Sequence, residues 1–295
     1  MNSKLSQNQD KTPEIIILYG PPAAGKGTQA DFLKQNLSNY FHLDFGTSLR
    51  SFVATELGNY FETKINKKIG REIQNPEIQR ILKNLKAKKD ESIQSQATKQ
   101  KTEHSKNHNN SEKSIHKQID NKIRAYRVWQ SLATFEAVLF EDLQFVVETS
   151  LKKALQNGQK VILEGPGRSL LEANWLSELF VSLELEVAIF HLYISPSETV
   201  KRSATRFYVK GIEKPFQSYK LAKENSPKSE PYRRPEDEDS DGIMNRYNKL
   251  YADVFAQIIS VYQLKAKAIV LTVDAHKEVE TVSQTIEDYL VKWYL

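Results

Sequence analysis

Between a short apolar stretch and the start of a helical repeat, the chain reads Gly20-Pro21-Pro22-Ala23-Ala24-Gly25-Lys26-Gly27-Thr28. No other feature limits the possible folds as tightly. The preceding residues, 14–19, are EIIILY, a β-branched run bounded by Pro13 and Gly20, as in a buried parallel strand. After the loop, Ala30, Leu33 and Leu37 recur at helical spacing. A glycine-rich turn between strand and helix is a phosphate-binding loop. Glycines let the backbone close on phosphate oxygens, and the loop N–H groups and helix N-terminus point at the anion. Lys26 adds a point charge for β- and γ-phosphates, and Thr28 offers a hydroxyl to phosphate or Mg2+. One position departs from the general motif: Gly27, not Ser or Thr, follows the lysine.

Further apolar runs at 161–163, 187–194 and 268–271 read as buried strands, and helical patterns lie at 136–156, 170–182, 196–207, 241–262 and 277–292. Strands alternating with helices predict an α/β fold, a doubly wound parallel sheet. Two segments interrupt it. Residues 83–118 hold no aromatic residue and are rich in Lys, Gln, Asn and Ser, which predicts a disordered or loosely helical insertion. Residues 207–241 are polar and carry Pro215, Pro227, Pro231 and Pro235, the composition of a mobile flap. Residues 1–13 read as a polar, disordered tail.

The chain has no cysteine, which removes disulfides and thiolate-bound zinc. No apolar run is long enough to span a membrane, and residues 1–13 lack a signal-peptide pattern, so a soluble cytoplasmic protein is expected. Net charge is +5, much of it in the lysine-rich insertion, which reads as a solvated face. That insertion has no aromatic residues for base stacking, so nucleic acid is not expected as a partner. His104, His108 and His116 lie there too, and read as solvated rather than metal-binding.

The loop as written, Gly20 to Gln29, resembles that of the adenylate kinase family of nucleoside monophosphate kinases. The resemblance continues in order. His42-Leu43-Asp44-Phe45-Gly46-Thr47-Ser48-Leu49-Arg50 is similar to the family's acceptor segment, and Leu57-Gly58 to a later part of its acceptor domain. Leu163-Glu164-Gly165-Pro166-Gly167-Arg168-Ser169 resembles its Asp-Gly-Phe-Pro-Arg-Thr element. Arg202 and Arg206 resemble the arginine pair that opens the lid, and Arg234-Pro235-Glu236-Asp237 and Arg246 its closing arginines. The likeness covers residues 14–61 and 135–290.

The resemblance implies MgATP as phosphoryl donor, a nucleoside monophosphate, AMP, as acceptor, and a monomer whose domains close. A helical acceptor domain is implied at 45–138 and a lid at 207–241. ATP would lie on Gly20, Pro21, Ala23, Ala24, Gly25, Lys26, Gly27 and Thr28, with Arg202 beside the adenine. The acceptor would meet Phe45, Gly46, Arg50, Gly165, Arg168 and Glu172. Lys26, Arg168, Arg206, Arg234 and Arg246 would surround the transferring group, because guanidinium groups grip phosphate bidentately and keep their charge. Neighbouring Arg233 competes with Arg234 for its role. Glu164 would hold Mg2+ through waters together with Thr28; the family has Asp in place of Glu164.

Thr47 replaces a family Asp near the metal, a loss of charge that would weaken Mg2+ binding or shift it to Glu164. Two departures fall at the acceptor site: Phe45 stands where the family has Thr, and Glu172 where a Gln reads the adenine edge. A carboxylate only accepts hydrogen bonds, which suits guanine or cytosine better than adenine N1. GMP or CMP as acceptor therefore stays open, as does Glu172 pointing elsewhere. So does a nucleotide-binding module without catalysis that acts through the basic insertion.

Overall fold

The computed structural model describes residues 12–58, 108–134, 138–165, 169–209, 212–233, 237 and 239–292. The apolar run after Pro13 forms β1 (Ile15–Tyr19), buried at all five positions. It lies at the centre of a five-stranded parallel sheet with β2 (Tyr40–Asp44), β3 (Lys160–Glu164), β4 (Val187–Tyr193) and β7 (Ile269–Asp274), in the order β2-β3-β1-β4-β7. The register pairs Leu18 with Glu164 and Tyr19 with His191, so the carboxyl ends of β1, β3 and β4 lie level beside the loop that follows β1.

Side chains alternate across a strand, so one sheet serves two cores. On one face Ile16, Leu18, Phe190 and Leu192 pack with Ala30 and Leu33 of α1 (Lys26–Asn36) and Ile286 and Leu290 of α10 (Val279–Lys292). On the other, α5 (Leu170–Ser182) packs against α9 (Phe255–Ala266), where Phe180 and fully buried Tyr262 stack with ring centroids 6.5 Å apart. The four strand segments and the α/β order expected from sequence are all present.

The first compact unit comprises residues 1–45 and 148–295. It also carries α6 (Pro196–Ala204), an antiparallel hairpin of β5 (Phe207–Val209) and β6 (Ile212–Phe216), α7 (Tyr219–Asn225) and α8 (Ser240–Tyr247). The second unit spans Gly46–Val147. Its described parts are most of α2 (Phe45–Leu57), α3 (His108–Thr134) and α4 (Phe140–Gln156) up to Val147. Asp142, fully buried, fastens α3 to α4: it accepts from Arg124 Nη1 at 2.6 Å and from Arg127 Nε and Nη2 at 2.8 and 2.6 Å.

Several expectations need correction. β2 was not read as a strand, because His42 and Asp44 break the apolar run; the tertiary pairing with β3 makes it one. The single helix expected over 241–262 is two helices joined by a π-turn at Asn248–Ala252. Residues 83–107 lie outside the described part, but the remainder of that segment is helical from His108 onwards. Thr12 and Pro13, assigned to the tail, are buried: Lys160 Nζ donates to the Thr12 carbonyl and Tyr40 OH to that of Pro13. Whether residues 207–241 form strands was left open by the sequence; the described part of that segment contains the hairpin, α7 and a bridge between Tyr208 and Tyr232.

One core group titrates in a useful range. His191, 5% exposed, stacks on Phe255 at 4.2 Å, and its ring nitrogens meet only hydroxyls, Tyr251 at 2.7 Å and Thr272 at 3.2 Å. Burial lowers its pKa to about 4. The unfolded chain, with an ordinary imidazole, takes up this proton first as pH falls. Stability from the neutral ring is therefore complete above about pH 6.5 and lost as pH drops towards 4, at most about 1.4 kcal/mol per pH unit. Urea midpoints at pH 7, 6 and 5 should fall more steeply for the native chain than for His191→Gln; equal slopes would contradict this account.

Candidate active site

The site begins in the turn after β1. Gly20 has φ +154°, and a Cβ there would stand 2.4 Å from the Leu192 carbonyl oxygen, so β4 admits only glycine. Gly25, at φ +87°, takes the left-handed conformation directly before α1, and Ala23 holds φ +66° within the turn. A non-glycine residue in this region is strained, and such strain gathers where the backbone must present itself to a ligand. Lys26 bends back over the loop, donating from Nζ to the carbonyls of Gly20 at 2.9 Å and Pro21 at 2.8 Å. Thr28 is exposed in the first turn of α1. Gln29, almost fully buried, anchors that helix: it donates to the Val279 carbonyl at 3.3 Å and accepts from Ser283 Oγ at 2.9 Å.

A carboxylate lies against the loop. A Cβ on Gly27 would sit 3.4 Å from both carboxylate oxygens of Glu164, at the end of β3. A methyl group there would only touch the carboxylate, so the fold does not by itself require glycine after the lysine. On its other side Glu164 Oε2 is 3.2 Å from His42 Nε2 of β2. The half-buried positions of His42 and Glu164 leave the pair at the rim of the sheet rather than in its core. The sequence carried no signal for this pairing, because it depends on strand order.

Of the expected arginines, Arg202 on α6 pairs with Glu198 at 2.7 Å, one turn earlier, and this bond holds the Glu198 carboxyl below its usual range. Arg206, half-buried just past α6, makes no side-chain hydrogen bond or ion pair among the described residues. Arg246 on α8 donates from Nη1 to Asp237 Oδ1 at 3.2 Å. Arg233 donates to the Asp237 carbonyl. Arg168 and Arg234 lie outside the described residues. Gly165 ends β3 with φ +81°. Arg50 and Gly46 belong to the second unit, where Arg50 Nη2 donates to Thr47 Oγ1 at 3.4 Å. Phe45, at the start of α2, is buried.

Glu172 stands at the third position of α5, whose N-cap is Ser169, and Ser169 Oγ accepts from the Glu172 backbone N–H at 3.2 Å. Ser169-Leu170-Leu171-Glu172 is thus the sequence pattern of a capping box, a local signal that the reading of Glu172 as a base reader overlooked. Burial first, and the charge of Glu172 second, raise the pKa of the Tyr19 hydroxyl. Burial first and the Glu172 charge second raise the pKa of Tyr262 as well. Among the described residues no helix is long and apolar enough to cross a membrane.

A family model described as "AAA domain" matches residues 19–147, from the last residue of β1 through the second unit. Three relatives are each named adenylate kinase. That of Pelagibacter ubique is 45% identical over 75 residues, 24% of this chain and 35% of its own length. That of Streptomyces scabiei is 46% identical over 54 residues, 18% of this chain and 76% of that relative. That of Flavobacterium psychrophilum is 46% identical over 54 residues, 18% of this chain and 28% of the relative. The matched part therefore spans about a third of the first relative and three quarters of the second.

Proposed function

We propose a phosphoryl transfer between nucleotides from one premise: this chain belongs to the adenylate kinase family of P-loop nucleoside monophosphate kinases. The reaction is MgATP plus a nucleoside monophosphate giving ADP plus the nucleoside diphosphate, with AMP as the acceptor. The observation that carries this reading is the loop itself, where strained backbone, Lys26 and the Glu164 carboxylate meet at the carboxyl ends of β1 and β3. Phosphoryl transfer needs little covalent help from the protein; it needs alignment, charge neutralisation and exclusion of water.

Each residue then has a task. Lys26 exchanges its bonds to the Gly20 and Pro21 carbonyls for the donor phosphates. The loop N–H groups orient the β-phosphate. Arg206 and Arg246, with Arg168 and Arg234, neutralise the transferring group. Arg50 and Arg168 hold the acceptor's α-phosphate, and Arg202 flanks the donor base. The residues also fit Mg2+. The Glu164 carboxylate lies beside the loop, against Gly27, and is the hard oxygen donor that such an ion takes together with phosphates and waters. Glu164 and Thr28 would hold Mg2+, which when bound supplies neutralisation of the phosphate charge. Residues 207–241 act as the lid that keeps water out, and the unit Gly46–Val147 as the acceptor domain. The chain works as a cytoplasmic monomer.

AMP as acceptor follows from the relatives' name, adenylate kinase, while the Glu172 carboxylate, an acceptor only, would suit GMP or CMP. The test is product formation from MgATP with AMP, GMP, CMP and UMP in turn. Turnover with AMP at least tenfold above the others is expected. A preference for GMP or CMP would return base reading to Glu172. Absence of turnover with all four, despite ATP binding, would overturn the kinase reading.

A further inference from the structure

Two side chains beside the phosphate loop face each other without a hydrogen bond. β2 and β3 pair His42 with Ile162, and Glu164 lies two residues beyond Ile162, so His42 and Glu164 stand on one face of the sheet. That face carries α1: Ile162 packs with Ala30 and Leu33, and Gly27 lies against the Glu164 carboxylate. His42 Nε2 is 3.2 Å from Glu164 Oε2, and the two side chains are 16% and 20% exposed. Nε2 is nevertheless closed to solvent, and among the described residues it makes no hydrogen bond. A buried polar atom without a partner is uncommon and calls for a reason, a bound ion among them.

The spacing fits an ion. Ligand atoms at right angles on a metal, with bonds of about 2.1–2.2 Å, lie about 3.0–3.1 Å apart. Nε2 and Oε2 are close to that separation. A sphere of oxygens alone suits Mg2+, whereas an imidazole nitrogen suits the softer divalent ions of the first transition row, whose affinity rises from Mn2+ through Co2+ to Ni2+. We propose that His42 and Glu164 form a nitrogen–oxygen chelate for a divalent transition ion at the edge of the phosphate loop. His42 binds through an unprotonated Nε2 and Glu164 through Oε2. Two protein ligands leave the other positions to water and, in the proposed reaction, to phosphate oxygens of the donor. Only that last assignment rests on the kinase reading; the chelate itself needs no nucleotide.

The test uses the full chain with Co2+ alone, beside Mg2+ alone. Calorimetric titration should show one site that binds Co2+ at least about tenfold more tightly than Mg2+. His42→Gln and Glu164→Gln should each weaken that site about tenfold or more, since even a supporting group of a metal site is worth that much. Proton NMR reads the ligand directly: an imidazole on Co2+ gives an exchangeable N–H signal shifted far from the ordinary range. One such signal should vanish in both variants. The chain has six histidines, and any signal from the others should persist in both, which separates the chelate from scattered surface binding. Circular-dichroism melts check folding, and the comparison of the native chain with Glu164→Gln stands even if His42→Gln does not fold. Equal affinities for Co2+ and Mg2+, or an unchanged set of shifted signals in Glu164→Gln, would overturn the chelate. Turnover of MgATP with AMP by the native chain is read separately. Its absence beside an intact Co2+ site would overturn the kinase reading and leave the chelate standing.

Discussion

Lys26→Ala lowers kcat/KM for MgATP by about a thousandfold or more while the chain stays folded. The magnitude follows from the charge that the substitution removes. Deleting one neutral donor to a developing oxyanion costs about a hundred- to a thousandfold. In the proposed reaction Lys26 is a full charge for the phosphates where charge accumulates, so its removal belongs at or above that range. The ammonium group donates to two loop carbonyls, of Gly20 and Pro21, and not to any of the paired strands, so the sheet should survive its loss. Lys26→Arg should not rescue, because a planar fork cannot occupy the place of a compact ammonium between two carbonyls 2.9 and 2.8 Å away. The measurement is steady-state turnover beside a circular-dichroism melt. Less than a tenfold loss would mean that the loop binds phosphate through its backbone alone.

Gly20→Ala should have the largest effect on stability. The added Cβ would lie 2.4 Å from the Leu192 carbonyl oxygen, in the strand next to β1 at the centre of the sheet. Neither β1 nor β4 can give way without disturbing paired neighbours, so the cost is backbone displacement added to an unfavourable φ, roughly 2–5 kcal/mol. Gly158→Ala is the matched control. Gly158 has φ +72°, but nothing lies within 4 Å of its missing Cβ. It should cost only the conformational strain, about 1 kcal/mol. Urea unfolding compares the two. Equal midpoints would mean that the loop relaxes around the methyl group, and that close packing against β4 is not why glycine stands at position 20.

Local signals were readable where the chemistry is local. The phosphate loop needs a strand, a turn of glycines and a helix within one run of chain, and all three lie in consecutive residues. The helix expected over 170–182 has those bounds, because its apolar spacing and the Ser169 cap both lie within it. The same sequence also held Ser169, whose side chain caps the helix by accepting from the Glu172 backbone N–H. β2 escaped notice because half of its side chains are polar. Its strand character comes from hydrogen bonds to β3, more than a hundred residues away.

What the sequence by itself determined is the phosphate loop and the α/β alternation. Each of these is written in neighbouring residues, and short-range sterics and periodicity suffice to read it. Only the tertiary structure decided which groups meet. It brought Glu164 against Gly27, set His42 beside Glu164, and tied Asp237 to both Tyr208 and Arg246. The physical reason is that a parallel sheet joins strands through long crossovers, so the pairs it forms depend on strand order and register, and no local spacing encodes them.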